Sequence, residues 1–224
     1  MESKTYTESE ATVAFHRLSE ILNTLRRECP WDKVQTMKSL RYLTIEEVHE
    51  LSEAVVSQSA DDIKKELGDL AMHILFYCKI AEEQGLFSTA DVYNTICEKL
   101  IDRHPFIYRK EEYHGESWEQ LKMKEGRRNV LEGVPDSLPS LVKAVRMQEK
   151  VAGMDKKESP DSGNAMLHSA LPELEGLDDG MSEEAFGELL FALVDWARRH
   201  GINADDALCG ANRRFKERYA APTE

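Results

Sequence analysis

Apolar residues recur at helical spacing along most of the chain, and runs of strict alternation bounded by hairpin turns are absent. Val13, Phe15, Leu18, Ile21, Leu22 and Leu25 predict a first helix from Glu8 to Arg27. Cys29-Pro30-Trp31-Asp32 interrupts it, because a residue before proline is pushed out of the helical region. A second helix is predicted from near Ser39 or Thr44 to Val56, with Ile45, Val48, Leu51 and Val55 on one face. After a turn at Ser57–Asp61, a third helix runs from about Asp62 to Gln84 and stops at Gly85. A fourth runs from Thr89 to Arg103, ahead of Pro105. The short connections predict antiparallel neighbours, hence an all-α helical bundle.

The texture changes beyond Trp118. Gly133, Pro135 and Pro139 punctuate one stretch, and 156–164 has linker composition. A last helical pair is expected at about Glu183–His200 and Asn203–Tyr219. It aligns with the third and fourth helices as an imperfect repeat. Gly68-Asp69-Leu70 falls on Gly187-Glu188-Leu189 and, with a gap near the turn, Lys99 and Arg103 fall on Arg214 and Arg218. Two amphipathic hairpins always align passably; the preserved i, i+4 spacing of the basic pair favours duplication. The expected organisation is a first domain over 1–125, a connecting segment over 126–164 and a degenerate second copy over 165–224.

Composition narrows the function. The 224 residues carry 29 Lys and Arg against 42 Asp and Glu, a net charge of −13, which argues against binding a nucleic-acid polymer. No apolar run approaches the ~20 residues of a membrane span. The N-terminus is polar, without a signal-peptide core. Cys29, Cys78, Cys97 and Cys209 are scattered, so a disulfide framework or zinc site is not expected and a reducing cytoplasm fits.

Acids carry the chemistry. Helix two contains Glu46-Glu47-Val48-His49-Glu50, and helix three contains Glu66-Leu67-Gly68-Asp69. Glu47 and Glu50 are three apart, as are Glu66 and Asp69, so each pair projects from neighbouring points of one helix face. On adjacent antiparallel helices the four carboxylates converge, and their repulsion calls for a hard divalent cation, Mg²⁺ or Mn²⁺. Taken alone, helix two reads as a solvated face, since Glu47 and Glu50 lie away from its apolar stripe. Helix three does not: Glu66, Asp69 and His73 share an arc of about 60° on a mostly apolar helix, where unpartnered acids are costly. Gly68 between them costs roughly 1 kcal/mol against Ala, which suits close approach by a helix or ligand. Lys99 and Arg103, four apart, point one way and suit phosphate oxygens or a solvated surface. Trp31 suits a nucleobase or the core equally.

Together, the EExxE and ExxD motifs, the Cys29-Pro30-Trp31-Asp32 loop followed by Gln35-Thr36, and Arg103-His104-Pro105 resemble the MazG-type all-α nucleoside triphosphate pyrophosphohydrolases. The resemblance is close over about 14–125 and weaker beyond. It implies a dimeric helical bundle that hydrolyses nucleoside triphosphates to monophosphate and pyrophosphate with Mg²⁺, in nucleotide-pool housekeeping. Carried over by position, Glu47, Glu50, Glu66 and Asp69 would be metal ligands, with Glu46 orienting water or supporting them. Lys99 and Arg103 would contact phosphate, Trp31 would stack on the base, and His73 would face the same pocket. The second copy has Ala185 and Glu188 at the ExxD positions and no EExxE before them, so it is expected to be inactive. Two rivals remain: a non-catalytic dimeric regulator, and a ferritin-like di-iron protein, for which Glu46-x-x-His49 supplies only one of two required motifs.

Overall fold

A computed structural model of the chain describes residues 8–126, 128–154 and 182–220. Among them the secondary structure is helical throughout, with no strand. The helices are α1 (Glu8–Glu28), α2 (Met37–Val56), α3 (Ala60–Glu83), α4 (Thr89–Arg103), α5 (Pro105–Tyr108), α6 (Trp118–Lys124), α7 (Ser140–Met154), α8 (Glu183–Arg199) and α9 (Ala204–Ala220). Short 3-10 turns lie at Asp32–Val34 and Lys110–Glu112. Contacts divide the chain into two compact units, 1–100 and 101–224, with the division inside α4. The boundary lies earlier than the expected residue 125, and the expected connecting segment contains α7. The linker stretch 156–164 lies outside the described residues.

In the first unit α2 and α3 form an antiparallel hairpin, and α1 packs on α3 and on the turn that follows Trp31. Helix α2 starts earlier than Ser39. Thr36 and Ser39 cap each other, the Ser39 N–H donating to Thr36 Oγ1 at 3.1 Å and the Thr36 N–H to Ser39 Oγ at 2.9 Å. Serine does here what Glu or Gln does in the usual capping box. Leu40, Phe76 and Ile80 form the buried core, flanked by Met37, Leu43 and Tyr77.

The seam between α2 and α3 changes character along its length. Leu40, Phe76 and Ile80 fill one end, Thr44, His73 and Tyr77 are hydrogen-bonded in the middle, and Glu47, Glu66 and Asp69 meet towards the other end. The stripe Ile45, Val48 and Val55 faces outward instead, at 43, 49 and 54 % exposure. So the inner face of α2 is the one that carries Glu47, and the reading of that residue as part of a solvated face is corrected. Helical periodicity places residues on faces but does not say which face a neighbour covers.

In the second unit α7 packs against α6, α8 and α9 around Leu121, Leu189, Ala192, Val194 and Ala197. Its terminal hairpin repeats a detail of the first unit. Helix α3 ends with Gly85 at φ +66°, its N–H on Glu82 O at 3.1 Å and the Leu86 N–H on Ala81 O at 3.0 Å. Helix α8 ends with Gly201 at φ +69°, its N–H on Arg198 O at 3.1 Å and the Ile202 N–H on Ala197 O at 2.9 Å. Both are left-handed glycine stops followed by an apolar residue.

Candidate metal centre and active site

Each of Glu47, Glu66 and Asp69 offers a carboxylate oxygen within 4.8 Å of the others. Three of the four carboxylates expected to converge come together here. The antiparallel hairpin produces this convergence by setting one turn of α2 beside the i, i+3 pair of α3. Glu66 is buried, and its Oε1 accepts a hydrogen bond from Lys65 Nζ at 2.9 Å. Its Oε2 is buried with no hydrogen-bond partner. A buried carboxylate oxygen without a donor costs about 1–3 kcal/mol or more, so Lys65, bonded to Oε1 alone, leaves Oε2 open to a further positive charge.

The electrostatics agree. Burial holds the Glu47 carboxyl above the usual carboxylate range, and the charges of Asp69, Glu50, Glu66 and Glu46 push it further. The Lys65 ammonium is raised in turn by its bond to Glu66 and by the charges of Glu66, Glu50 and Asp69. Oxygen-only donors, excess negative charge and an orphaned lone pair fit a hard divalent cation such as Mg²⁺ or Mn²⁺. Glu50, one turn on from Glu47, is exposed and outside the three-acid cluster. Glu46 is exposed as well.

Apart from its own helix backbone and chain neighbours, nothing lies within 4 Å of the position a Cβ on Gly68 would take. No neighbouring helix among the described residues requires the glycine, so the expectation of close helix approach is not met. His49 is exposed and outside the acid cluster, which removes the one Glu-x-x-His support for a di-iron centre.

Trp31 is 52 % exposed, so it is no core residue. Its loop is clamped by Arg26 at the end of α1. Arg26 Nε donates to both Glu83 oxygens at 3.1 Å, and Nη2 donates to Glu83 Oε2 at 2.9 Å. Nη1 donates to the carbonyl oxygens of Asp32 and, at 3.0 Å, of Gln35. Gln35 Nε2 closes the loop on the Trp31 carbonyl at 3.0 Å. One guanidinium thus ties α1, the end of α3 and both sides of the Trp31 turn. Sequence reasoning missed Arg26 because a basic residue in a last helical turn is explained by the helix dipole. Its true partner stands 57 positions away.

Lys99 is exposed near the end of the first unit. Arg103, in the second unit, is buried and doubly bonded to Glu125, Nε to Oε1 and Nη2 to Oε2, both at 2.6 Å. Its guanidinium lies 5.5 Å from the Trp118 ring centroid. The basic pair therefore splits: one member is exposed, the other is held in a bidentate ion pair.

Residues 35–108 match the MazG nucleotide pyrophosphohydrolase domain. Over 94% of its length the chain is 36% identical to the nucleoside triphosphate pyrophosphohydrolase/pyrophosphatase MazG of Thermotoga maritima, covering 86% of that protein. The chain belongs to the MazG family. A nucleoside triphosphate pyrophosphohydrolase of Escherichia coli strain K12 is 33% identical over 91% of this chain and 84% of its own length. One from Mycobacterium tuberculosis is 35% identical over 67% of this chain and 49% of its own. MazG membership makes the protein an all-α hydrolase, and the matched domain contains both acidic motifs.

Proposed function

We propose that the protein hydrolyses nucleoside triphosphates to nucleoside monophosphate and pyrophosphate with Mg²⁺, for which Mn²⁺ substitutes. The convergence of Glu47, Glu66 and Asp69 around an oxygen with no donor carries this reading. Glu47, Glu66 and Asp69 would hold the cation, with Glu50 one turn away completing the set once charge enters. Held by these acids, a divalent ion would supply charge neutralisation for triphosphate oxygens and would lower the pKa of a water bound to it. The chain's own groups do the rest. Lys99 takes phosphate oxygens as a point charge, and Arg103 does so through its planar guanidinium. Trp31, half-exposed on a clamped loop, offers a flat face to the base. His73 lies on the same face of α3 as Glu66 and Asp69 and contacts the bound nucleotide or its water. Glu46 sits outside the ligand set and adds negative charge to it.

The active species is a homodimer in this reading. The outward stripe of Ile45, Val48 and Val55, with Leu67 and Ile74 of α3 also exposed, is apolar surface of the kind that marks association. Residues 165–224 act as a degenerate copy without activity. The role is nucleotide-pool housekeeping in the cytoplasm, with no membrane and no nucleic-acid polymer as partner; no described helix is long and apolar enough to cross a bilayer. Pyrophosphate release from a panel of ordinary and modified triphosphates tests the reaction, with Glu50→Ala as control. Release by the native protein with Mg²⁺, lost in the variant, supports it. Equal background release from both leaves only the non-catalytic regulator.

A further inference from the structure

Thr44 Oγ1 is the hub of three short contacts in the α2–α3 seam. It lies 3.0 Å from Leu40 O, 2.8 Å from His73 Nδ1 and 2.9 Å from Tyr77 Oη. A hydroxyl donates one proton and accepts two. The Leu40 carbonyl only accepts, so satisfying all three contacts leaves a single proton distribution. Thr44 donates to Leu40 O, Tyr77 donates to Thr44, and His73 donates to Thr44 from Nδ1.

Three consequences follow for His73. Burial pushes the ring towards its neutral form and outweighs the pull of Asp69. The ring proton resides on Nδ1. Nε2 is then a bare acceptor, and it makes no hydrogen bond among the described residues. His73 follows Asp69 by four residues and Glu66 by seven, so all three share the helix face that lines the acid cluster.

We infer that Thr44 and Tyr77 lock His73 in the Nδ1–H tautomer, so that Nε2 accepts a hydrogen bond from an O–H donor held in the acid site. The donor is either a water or a hydroxyl of the nucleotide sugar, since both present the same chemistry. Placing that acceptor in the catalytic site rests on the hydrolase reading above; the tautomer does not. Thr44 and Tyr77 are positioning residues in this account, acting through the imidazole.

Ring ¹⁵N spectra of histidine-labelled protein test the tautomer without any turnover, with the His73 signals assigned by their loss in His73→Asn. A pyridine-like Nε2 and a pyrrole-like Nδ1 are expected in the native protein. In Thr44→Val the Nε2–H form should gain population. Activity tests the acceptor. Asn reaches the Nδ1 position with an N–H donor but has nothing at Nε2, whereas Gln places an acceptor there. His73→Asn should lower kcat/KM about tenfold, the worth of one hydrogen bond, and His73→Gln should recover part of the loss. If the His73→Asn deficit disappears with a 2′- or 3′-deoxy triphosphate, the sugar is the donor; if it persists with both, water is. A proton on Nε2 in the native spectrum overturns the lock, and full activity in His73→Asn overturns the acceptor role. Absence of turnover in the native protein would instead remove the hydrolase reading, with the spectrum still deciding the tautomer.

Discussion

Helix α3 of the α2–α3 hairpin and helix α8 of the α8–α9 hairpin end on the same glycine turn, yet the two hairpins treat buried acid in opposite ways. In the first unit Glu66 is buried with one oxygen unpartnered, and Glu47 sits among four like charges that raise its pKa. In the second, Asp195 is buried between two arginines. Arg198 Nη2 donates to Oδ1 and Arg199 Nε to Oδ2, both at 2.7 Å, and these bonds overcome burial to hold the carboxyl below its usual range. One hairpin pairs its acid with two arginines; the other meets its buried acid with a single lysine and leaves one oxygen without a donor. Counting back from the shared turn sharpens the contrast. Glu66 and Asp69 precede Gly85 by 19 and 16 residues; the same steps back from Gly201 reach Ser182 and Ala185. Helix α8 begins where the acids would be. Either alignment, from the turn or from Gly68 on Gly187, leaves the second hairpin without the acid pair.

The largest effect should come from the under-compensated acids. Glu66→Gln or Asp69→Asn is expected to cut pyrophosphate release on the order of 100-fold or more while the fold persists, read by steady-state kinetics beside circular dichroism. Asp195→Asn should do the converse. Removing its charge weakens the bonds to two part-buried guanidinium groups, so unfolding free energy should fall by about 3 kcal/mol at unchanged kcat, measured by urea titration. Activity lost in Asp195→Asn well below its unfolding midpoint would erase the distinction between the two hairpins.

Most of the architecture was legible in the sequence because helical spacing, a proline before α2 and glycine stops are local signals. The acid motifs were legible for the same reason: i, i+3 pairs need only the helix repeat. What stayed hidden was non-local. Periodicity put Ile45, Val48 and Val55 on one face but did not say that this face would be outside and that Glu47 would be inside. Thr44, Tyr77 and Arg26 drew no attention because each acts through a partner on another helix. Helix α7 was missed because Gly133, Pro135 and Pro139 just upstream read as loop, although the helix begins at Ser140, directly after the last of them.

Smaller effects should appear in the pH dependence of stability without divalent ions. Glu47, raised in the folded state, keeps a proton that the unfolded chain, near 4.5, has released. Its contribution therefore weakens the fold as pH rises through the window above 4.5. Asp195, lowered, stabilises above its ordinary 3.8 and loses that contribution as pH falls towards the folded value. Difference curves of urea midpoint against pH, native minus Glu47→Gln and native minus Asp195→Asn, should slope in opposite directions. Without metal, Glu47→Gln should also be slightly more stable than the native protein, by about 0.5 kcal/mol, since it removes repulsion without removing a partner. The smallest effect is expected at the loop clamp. Arg26→Lys keeps the charge but not the fork, and should raise KM a few-fold at nearly constant kcat as the Trp31 loop loosens.

Calorimetric titration of Mn²⁺ into the native protein, Asp69→Asn and Asp195→Asn, without nucleotide, is the most direct test. The account predicts saturable binding in the native protein and in Asp195→Asn, with affinity lowered at least tenfold in Asp69→Asn. Equal binding by all three proteins, or none by the native one, would contradict the claim that Glu47, Glu66 and Asp69 await a shared cation.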